Sequence, residues 1–297
     1  MLTLKDGEVS ISCFIAPHPR LQPYLSTYYF TVMQGADGDE LCDWMNPEWA
    51  SVRYAHRGET RGSVHPDPMT TIPLAHFVGP TTRAGPFAAR SACVASIGFL
   101  PLGWRRFIRE PANNWANRIG AASDVDSIIA LGAMWDDVVQ AGTPTAIAAL
   151  FDRILLAALD APALVSEEEE ARINAAHTAL IDPDIATVAA LGERLGLTPK
   201  QLHRLSLRIF GFPPKTLMRR QRFIRTLAAW MRDPAGNWSG ALDLHYYDRS
   251  HFNRDFQAFF GMSPGQYRLH PHPIIGAAMR ARLKALGEPL QALQAPL

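Results

Sequence analysis

The stretch that decides the reading is Val188-Ala-Ala-Leu-Gly-Glu-Arg-Leu-Gly-Leu-Thr-Pro-Lys-Gln-Leu-His-Arg-Leu-Ser-Leu-Arg-Ile-Phe210. Val188, Leu191 and Leu195 fall on one face of a first helix, the spacing of an amphipathic stripe. Gly196 stands where the chain must turn sharply, and glycine tolerates the positive φ that a helix end often takes. Thr198 offers an oxygen to cap the next helix. Pro199 follows at its first position, where a missing N–H costs nothing. Leu202, Leu205 and Ile209 turn inward on that helix, and Lys200, Gln201, His203 and Arg204 project from its first turns. The pattern predicts two short helices about a tight turn, the second with a basic leading end.

The same grammar returns further along. Leu242 and Leu244 precede Tyr246, Asp248 is placed to cap a helix, and Phe252, Phe256, Phe259 and Phe260 form its apolar face. Arg249, Ser250, Asn253 and Arg254 are left pointing outward. Between the two units, Pro214 to Met231 reads as a basic helix with Leu217, Ile224, Leu227 and Trp230 inward. Its Arg219, Arg220, Arg222 and Arg225 are available to phosphates or to acids. Any two amphipathic helices around a glycine resemble one copy; two copies on a connecting helix are far more specific.

Charge is distributed to match. The chain of 297 residues carries a net +1, but residues 185–270 sum to +8, residues 1–184 to −9 and the tail 271–297 to +2. A basic block on an acidic chain is the electrostatic footprint of a polyanion partner. If that block neutralises about six phosphates, log K should fall against log salt with a slope near −5.

The first hundred residues read as β-rich. Val9 to Ile15, Tyr24 to Met33, Ser51 to Tyr54, Thr71 to Val78 and Ala92 to Phe99 are short apolar or alternating runs separated by Pro, Gly and Asp clusters, as in an antiparallel sandwich or barrel. Ile128, Ile129, Leu131, Met134, Trp135 and Val138, then Ile147, Leu150, Phe151, Ile154 and Leu155, fall at helical spacing. Gly142-Thr-Pro144 separates them, with Thr143 as a cap. Such a hairpin buries its stripe within the chain or between two chains. Asp160 to Glu170, with a proline and four successive glutamates, reads as the domain boundary; Ser166 can alternatively cap a helix opening on those acids. Few contacts are expected to cross there, so a fragment from Ser166 onward should fold alone. Ile274, Ile275, Met279, Leu283 and Leu286 mark a helical tail that packs back on either region.

Other chemistry is thinly represented. Trp44, Trp49, Trp104 and Trp115, with His56 and His76, are either core or the lining of an apolar pocket. No third ligand joins the histidines, and no CxxC or HExxH occurs, so neither a metal nor another cofactor is expected, and no catalytic residue is assigned. Cys13, Cys42 and Cys93 are odd in number and dispersed, which fits buried thiols in a reducing compartment. No run of about 18 apolar residues spans a membrane, and the Met1 to Asp6 leader lacks the basic-then-apolar pattern of a secretion signal. A cytoplasmic protein is expected.

The segment Tyr246-Tyr-Asp-Arg-Ser-His-Phe-Asn-Arg-Asp-Phe256, followed by Phe260-Gly-Met-Ser-Pro-Gly-Gln-Tyr-Arg268, resembles the double helix-turn-helix domain of AraC/XylS-type transcriptional regulators. Phe210-Gly-Phe-Pro-Pro-Lys215 resembles the stretch that ends the family's first unit, and Arg222 matches an arginine of its linking helix. Residues 1–160 more faintly resemble an N-terminal sensor domain of one subgroup, through Val78-Gly-Pro-Thr-Thr82, Ile97-Gly-Phe-Leu-Pro101 and Gly103. Three positions depart: His245 replaces a usual glycine, Ser206 an aromatic, and Gly192 an alanine, the last at a cost of about 1 kcal/mol.

The resemblance implies an α+β chain. A β-rich effector or dimerisation domain (1–160) with a helical hairpin is followed by a linker with a leading helix (161–184), an all-α double helix-turn-helix (185–270) and a helical tail (271–297). Its two units would enter successive major grooves about 34 Å apart. By the same likeness, Lys200, His203 and Arg204 read DNA for the first unit, and Arg249, Ser250, Asn253 and Arg254 for the second. Arginine pairs with guanine and asparagine with adenine, or the cations touch only phosphates. The expected partners are double-stranded DNA, a small-molecule effector at the N-terminal domain, RNA polymerase and a second copy of the chain; no membrane is expected. The competing classes are an enzyme with an attached DNA-binding domain, and an interaction module that no longer reads DNA.

Overall fold

The computed structural model describes Leu4 and residues 10–162, 165–232 and 238–296. Val9, Ala163 and Leu164 of the expected boundary, and the Ile129 side chain, lie outside the described residues. Strands β1 (Ser10–Ile15), β2 (Leu25–Met33), β3 (Leu41–Met45), β4 (Ala50–Gly62), β5 (Thr70–Thr71), β6 (Ala75–Val78), β7 (Gly85–Phe99) and β8 (Ile119–Ala121) form one antiparallel sheet. Its order is β1-β2-β7-β4-β6-β8, with β3 also on β7 and β5 on β4. The five runs expected from sequence all contain strand. The short β3 and β8 were not foreseen, and β7 reaches back to Gly85.

The long strand β7 changes partner along its length: Ala92 to Phe99 pair with β2, Gly85 to Ala89 with β3. The change falls at Arg90 and Ser91, where Ser91 has φ 47°. Opposite them Gly58 has φ 65°, and a Cβ there would lie 2.1 Å from the Arg90 carbonyl oxygen. Only glycine fits a strand crossing this close to its neighbour's bend.

One face of the sheet is apolar. Tyr28 and Phe30, Val52 and Tyr54, and Ala95, Ile97 and Phe99 alternate inward and are buried. Helices α2 (Ile129–Gly132), α3 (Trp135–Ala141) and α4 (Pro144–Asp160) cover this face with Leu131, Met134, Val138, Ile147 and Phe151. Thr143 caps α4, accepting from the Ala146 N–H at 3.3 Å. The hairpin stripe is therefore buried within the chain, against its own sheet.

The opposite face is polar yet buried. Arg53 donates to Tyr29 Oη at 3.1 Å and to Ser51 Oγ at 3.0 Å. The C-terminal tail covers this face. Helix α12 (Ile275–Leu286) lies along β1. Gln291 donates to Ser26 Oγ at 3.1 Å and to the Phe99 carbonyl at 3.2 Å, and accepts from the Trp49 N–H at 3.1 Å.

The remaining elements are helical. After the short turn α1 (Pro101–Gly103) come α5 (Glu167–Ile181), α6 (Val188–Arg194), α7 (Pro199–Phe210), α8 (Pro214–Arg232), α9 (Trp238–Ala241), α10 (Arg249–Phe260) and α11 (Pro264–Leu269). Ser166 does cap α5, and its four glutamates occupy the first turn, at the positive end of the helix dipole. Glu169 pairs with Arg105 at 3.0 Å and with Arg208 at 2.5 Å.

The expectation that few contacts cross near residue 165 is not met. Trp49, Leu100 and Leu102 share one buried cluster with Ile173, Leu191, Leu202 and Phe210. Asp43 on β3 accepts from the Ile274 and Ile275 N–H groups at 2.9 and 2.8 Å and caps the tail helix from across the chain. The composition and charge shift is real, but the faces on either side are complementary.

The four tryptophans do not line a common pocket. Trp104 and Trp115 pack on Phe77 in the sheet core. Trp49 packs on His177 and Phe210, and Trp44 on His270. His76 is buried with its Nδ1 3.0 Å from the Pro73 carbonyl. All three thiols are free, but only Cys93 is buried; Cys13 is partly covered and Cys42 is exposed, which corrects the expectation of a buried set.

Candidate nucleic-acid interface

Each half of the helical region is built by local chemistry. In the first unit Gly196 has φ 61°. Thr198 accepts from the Gln201 N–H at 3.4 Å while Gln201 Oε1 accepts from the Thr198 N–H at 2.9 Å, a reciprocal cap. Gln201 is thus engaged at the helix start. Lys200, His203 and Arg204 are exposed on the leading turns of α7. In the second unit Asp248 accepts from the His251 N–H at 2.6 Å. Arg249, Ser250, Asn253 and Arg254 are exposed along α10. Every residue expected to read DNA therefore faces solvent, on the first turns of the second helix of its unit.

The arginines of α8 have another role. Asp255 on α10 is 2% exposed at its side chain and pairs with Arg219 at 2.5 Å and Arg222 at 3.2 Å. It also accepts from Tyr246 Oη at 2.9 Å; burial and this carboxylate push the Tyr246 pKa up. Arg225 pairs with Asp243 at 2.5 Å. Arg220 is fully buried, its guanidinium 3.8 Å from the Trp49 ring centre and its Nη1 3.0 Å from the Thr81 carbonyl. Burial draws the Arg220 pKa down. Of the two uses open to these arginines in the sequence, Arg219, Arg222 and Arg225 take the pairing with acids, and Arg220 takes neither.

Between the units lies a cleft of about 580 Å³ bordered by Val188, Lys215, Arg222, Arg225, His245 and Arg254. His245 Nε2 donates to the Pro183 carbonyl at 2.7 Å and ties the second unit's turn to the loop before α6. His251 Nε2 accepts from Arg222 at 3.0 Å. Sequence reasoning did not assign these histidines a place, because their partners are remote in sequence.

The three departures acquire physical reasons. His245 does not have a positive φ, so no glycine is needed there. At Gly192 a Cβ would lie 3.2 Å from the Leu197 carbonyl oxygen, tighter than alanine accepts without adjustment. Ser206 is 2% exposed on the inner face of α7, where an aromatic would have to displace its neighbours.

Residues 191–270 match the family model of a helix-turn-helix domain. No curated protein sequence matches the chain. Among solved structures, the chain is similar to ToxT from Vibrio cholerae O395, at 10% identity over 87% of this chain and 96% of that one, with a TM-score of 0.39. For unsaturated fatty acid-bound ToxT from Vibrio cholerae strain SCE256 the values are 11%, 90%, 97% and 0.38. For the AraC-like transcriptional activator CuxR they are 14%, 74%, 87% and 0.22. These structural likenesses are faint, and the family match is confined to residues 191–270.

Proposed function

We propose that this chain, whose residues 191–270 form an AraC-type helix-turn-helix domain, is a sequence-specific DNA-binding transcription regulator that grips two successive major grooves. The observation that carries this reading is the pairing of two capped second helices, α7 and α10, each with a basic exposed leading end, on the single continuous helix α8. Lys200, His203 and Arg204 serve one groove, and Arg249, Ser250, Asn253 and Arg254 the next, where such helices meet base edges. Arg219, Arg222 and Arg225 of α8 fasten the second unit to that helix through Asp255 and Asp243 instead of contacting DNA.

The proposed division is 1–160 for the effector or dimerisation domain, 161–184 for the linker and leading helix, 185–270 for DNA reading and 271–297 for a tail that buttresses the sheet. The N-terminal domain would act on the reading helices through the shared core around Trp49, favouring one of two arrangements when an effector binds. A second copy of the chain would need a surface other than the α2–α4 stripe, which the sheet already covers. RNA polymerase is the proposed downstream partner, and the cytoplasm the proposed site of action. Among the described residues no helix is long and apolar enough to cross a membrane. No catalytic step is assigned.

Binding-site selection from random duplexes with the purified full-length chain tests the reading. A recovered consensus with two blocks about one helical turn apart supports it. Uniform retention of all duplexes, or of none, sinks it in favour of an interaction module.

A further inference from the structure

Among the described residues Leu244, 97% exposed, and Tyr247, 93% exposed, are the most exposed large apolar side chains, ahead of Leu269 at 82% and Leu74 at 49%. Single exposed apolar side chains are common, so exposure alone decides nothing; the position of these two does. Leu244 sits at the corner of a turn closed by the Tyr246 N–H donating to the Asp243 carbonyl at 3.0 Å. Tyr247 lies between two anchored neighbours. Tyr246 before it is buried, with its hydroxyl on Asp255, and Asp248 after it caps α10. The backbone on both sides is held, so the Tyr247 ring is kept outward, with only Asp248 between it and Arg249.

Resting on the function proposed above, we propose that Tyr247, together with Leu244, recognises thymine by apolar contact with its C5-methyl group, beside the bases that α10 reads. In the major groove, thymine is the base that presents a methyl group. The other exposed groups named at this end of the unit, Arg249, Ser250, Asn253 and Arg254, are polar or charged and suit phosphates and base edges. Tyr247 and Leu244, in the turn that leads into α10, supply the apolar groups that set lacks and would favour an A·T pair at the flank of the second half-site.

The test uses the full-length chain and a selected duplex, read by fluorescence anisotropy. Each thymine of the second half-site is replaced in turn by deoxyuridine, which removes only the methyl group. Affinity is expected to fall about fourfold at one or two positions, the equivalent of one buried methyl group. Tyr247→Ser and Leu244→Ser should lose a comparable factor on the thymine duplex and no longer respond to deoxyuridine at the position each contacts. Circular dichroism of the variants checks that the fold is kept. A wild-type chain indifferent to every substitution overturns the proposal while leaving DNA reading intact. So do variants that bind DNA normally, the result expected if these side chains dock on a protein. A chain that binds no duplex selectively overturns both readings.

Discussion

The Arg220 guanidinium lies 3.8 Å from the centre of the Trp49 ring, which joins the helix between the two helix-turn-helix units to the sheet domain. No carboxylate pairs with this buried cation among the described residues. The aromatic face and the Thr81 carbonyl stand in for one. Trp49→Ala should therefore lower unfolding stability by about 3–5 kcal/mol, since it leaves a cavity and takes the aromatic face from a buried cation. Trp49→Phe, which keeps a ring, should cost less than half of that in urea denaturation. Equal losses for the two would show that the face of the ring is irrelevant.

Acid should loosen the protein before its carboxylates titrate. Burial holds the His76 and His177 pKa values near 3 against an ordinary 6.5. Below pH 6.5 the unfolded chain takes up protons at these positions that the folded chain refuses. Stability must then fall as pH drops from 6.5 toward 3, by about 1.4 kcal/mol per pH unit for each histidine. His177→Leu should reduce the slope between pH 6.5 and 5 by that amount in chemical denaturation. An unchanged slope would place the proton uptake elsewhere.

His272 has the opposite sign. Burial opposes its charge, but the hydrogen bond and the negative charge of Asp43 outweigh burial and raise its pKa. Its two ring nitrogens lie 3.0 Å from Asp43 Oδ1 and 3.0 Å from the Tyr267 carbonyl, so the protonated ring donates at both. This contribution is full below pH 6.5 and fades as pH rises through the raised value. Asp43→Ala removes it along with the cap on Ile274 and Ile275. A loss of about 1–3 kcal/mol at pH 6, smaller at pH 8.5, is the expected result.

Base reading is checked by Arg204→Ala and Arg254→Ala. Each should cost about 1–3 kcal/mol on the selected duplex and relax preference at a few adjacent pairs, one helical turn apart for the two variants. A uniform loss on all duplexes would make that arginine a phosphate contact. Because Arg219, Arg222 and Arg225 are engaged internally, fewer than about six phosphates should be neutralised and the salt slope should be shallower than about −5. A slope much steeper than this would mean that DNA opens the Asp255 and Asp243 pairs.

A fragment of residues 166–297 should not behave as an autonomous domain. It would expose Leu191, Leu202 and Phe210 where Trp49, Leu100 and Leu102 cover them, and its tail helix would lose Asp43. Poor solubility or a broad thermal melt is expected, with a sharper melt for the full chain. A soluble fragment with a cooperative melt would show that the shared core is dispensable.

The sequence by itself determined the two helix-turn-helix units. Thr198, Pro199, Gly196 and Asp248 act within a turn or two of themselves, so capping and turn chemistry can be read from neighbours along the chain. Helical spacing likewise revealed α4 and α8, and alternation revealed the main strands. Only the tertiary structure decided what depends on remote partners: that the α8 arginines pair with Asp255 and Asp243, that Arg220 inserts against Trp49, that His245 bridges to Pro183, and that Asp43 caps the tail. In those cases the sequence shows a charge or a polar group but not what stands opposite it. The polar face of the sheet is the clearest example. The sequence shows polar groups such as Ser26 without their partner, Gln291 of the tail, which donates to Ser26 from more than two hundred residues away, and the supposed boundary becomes a shared core.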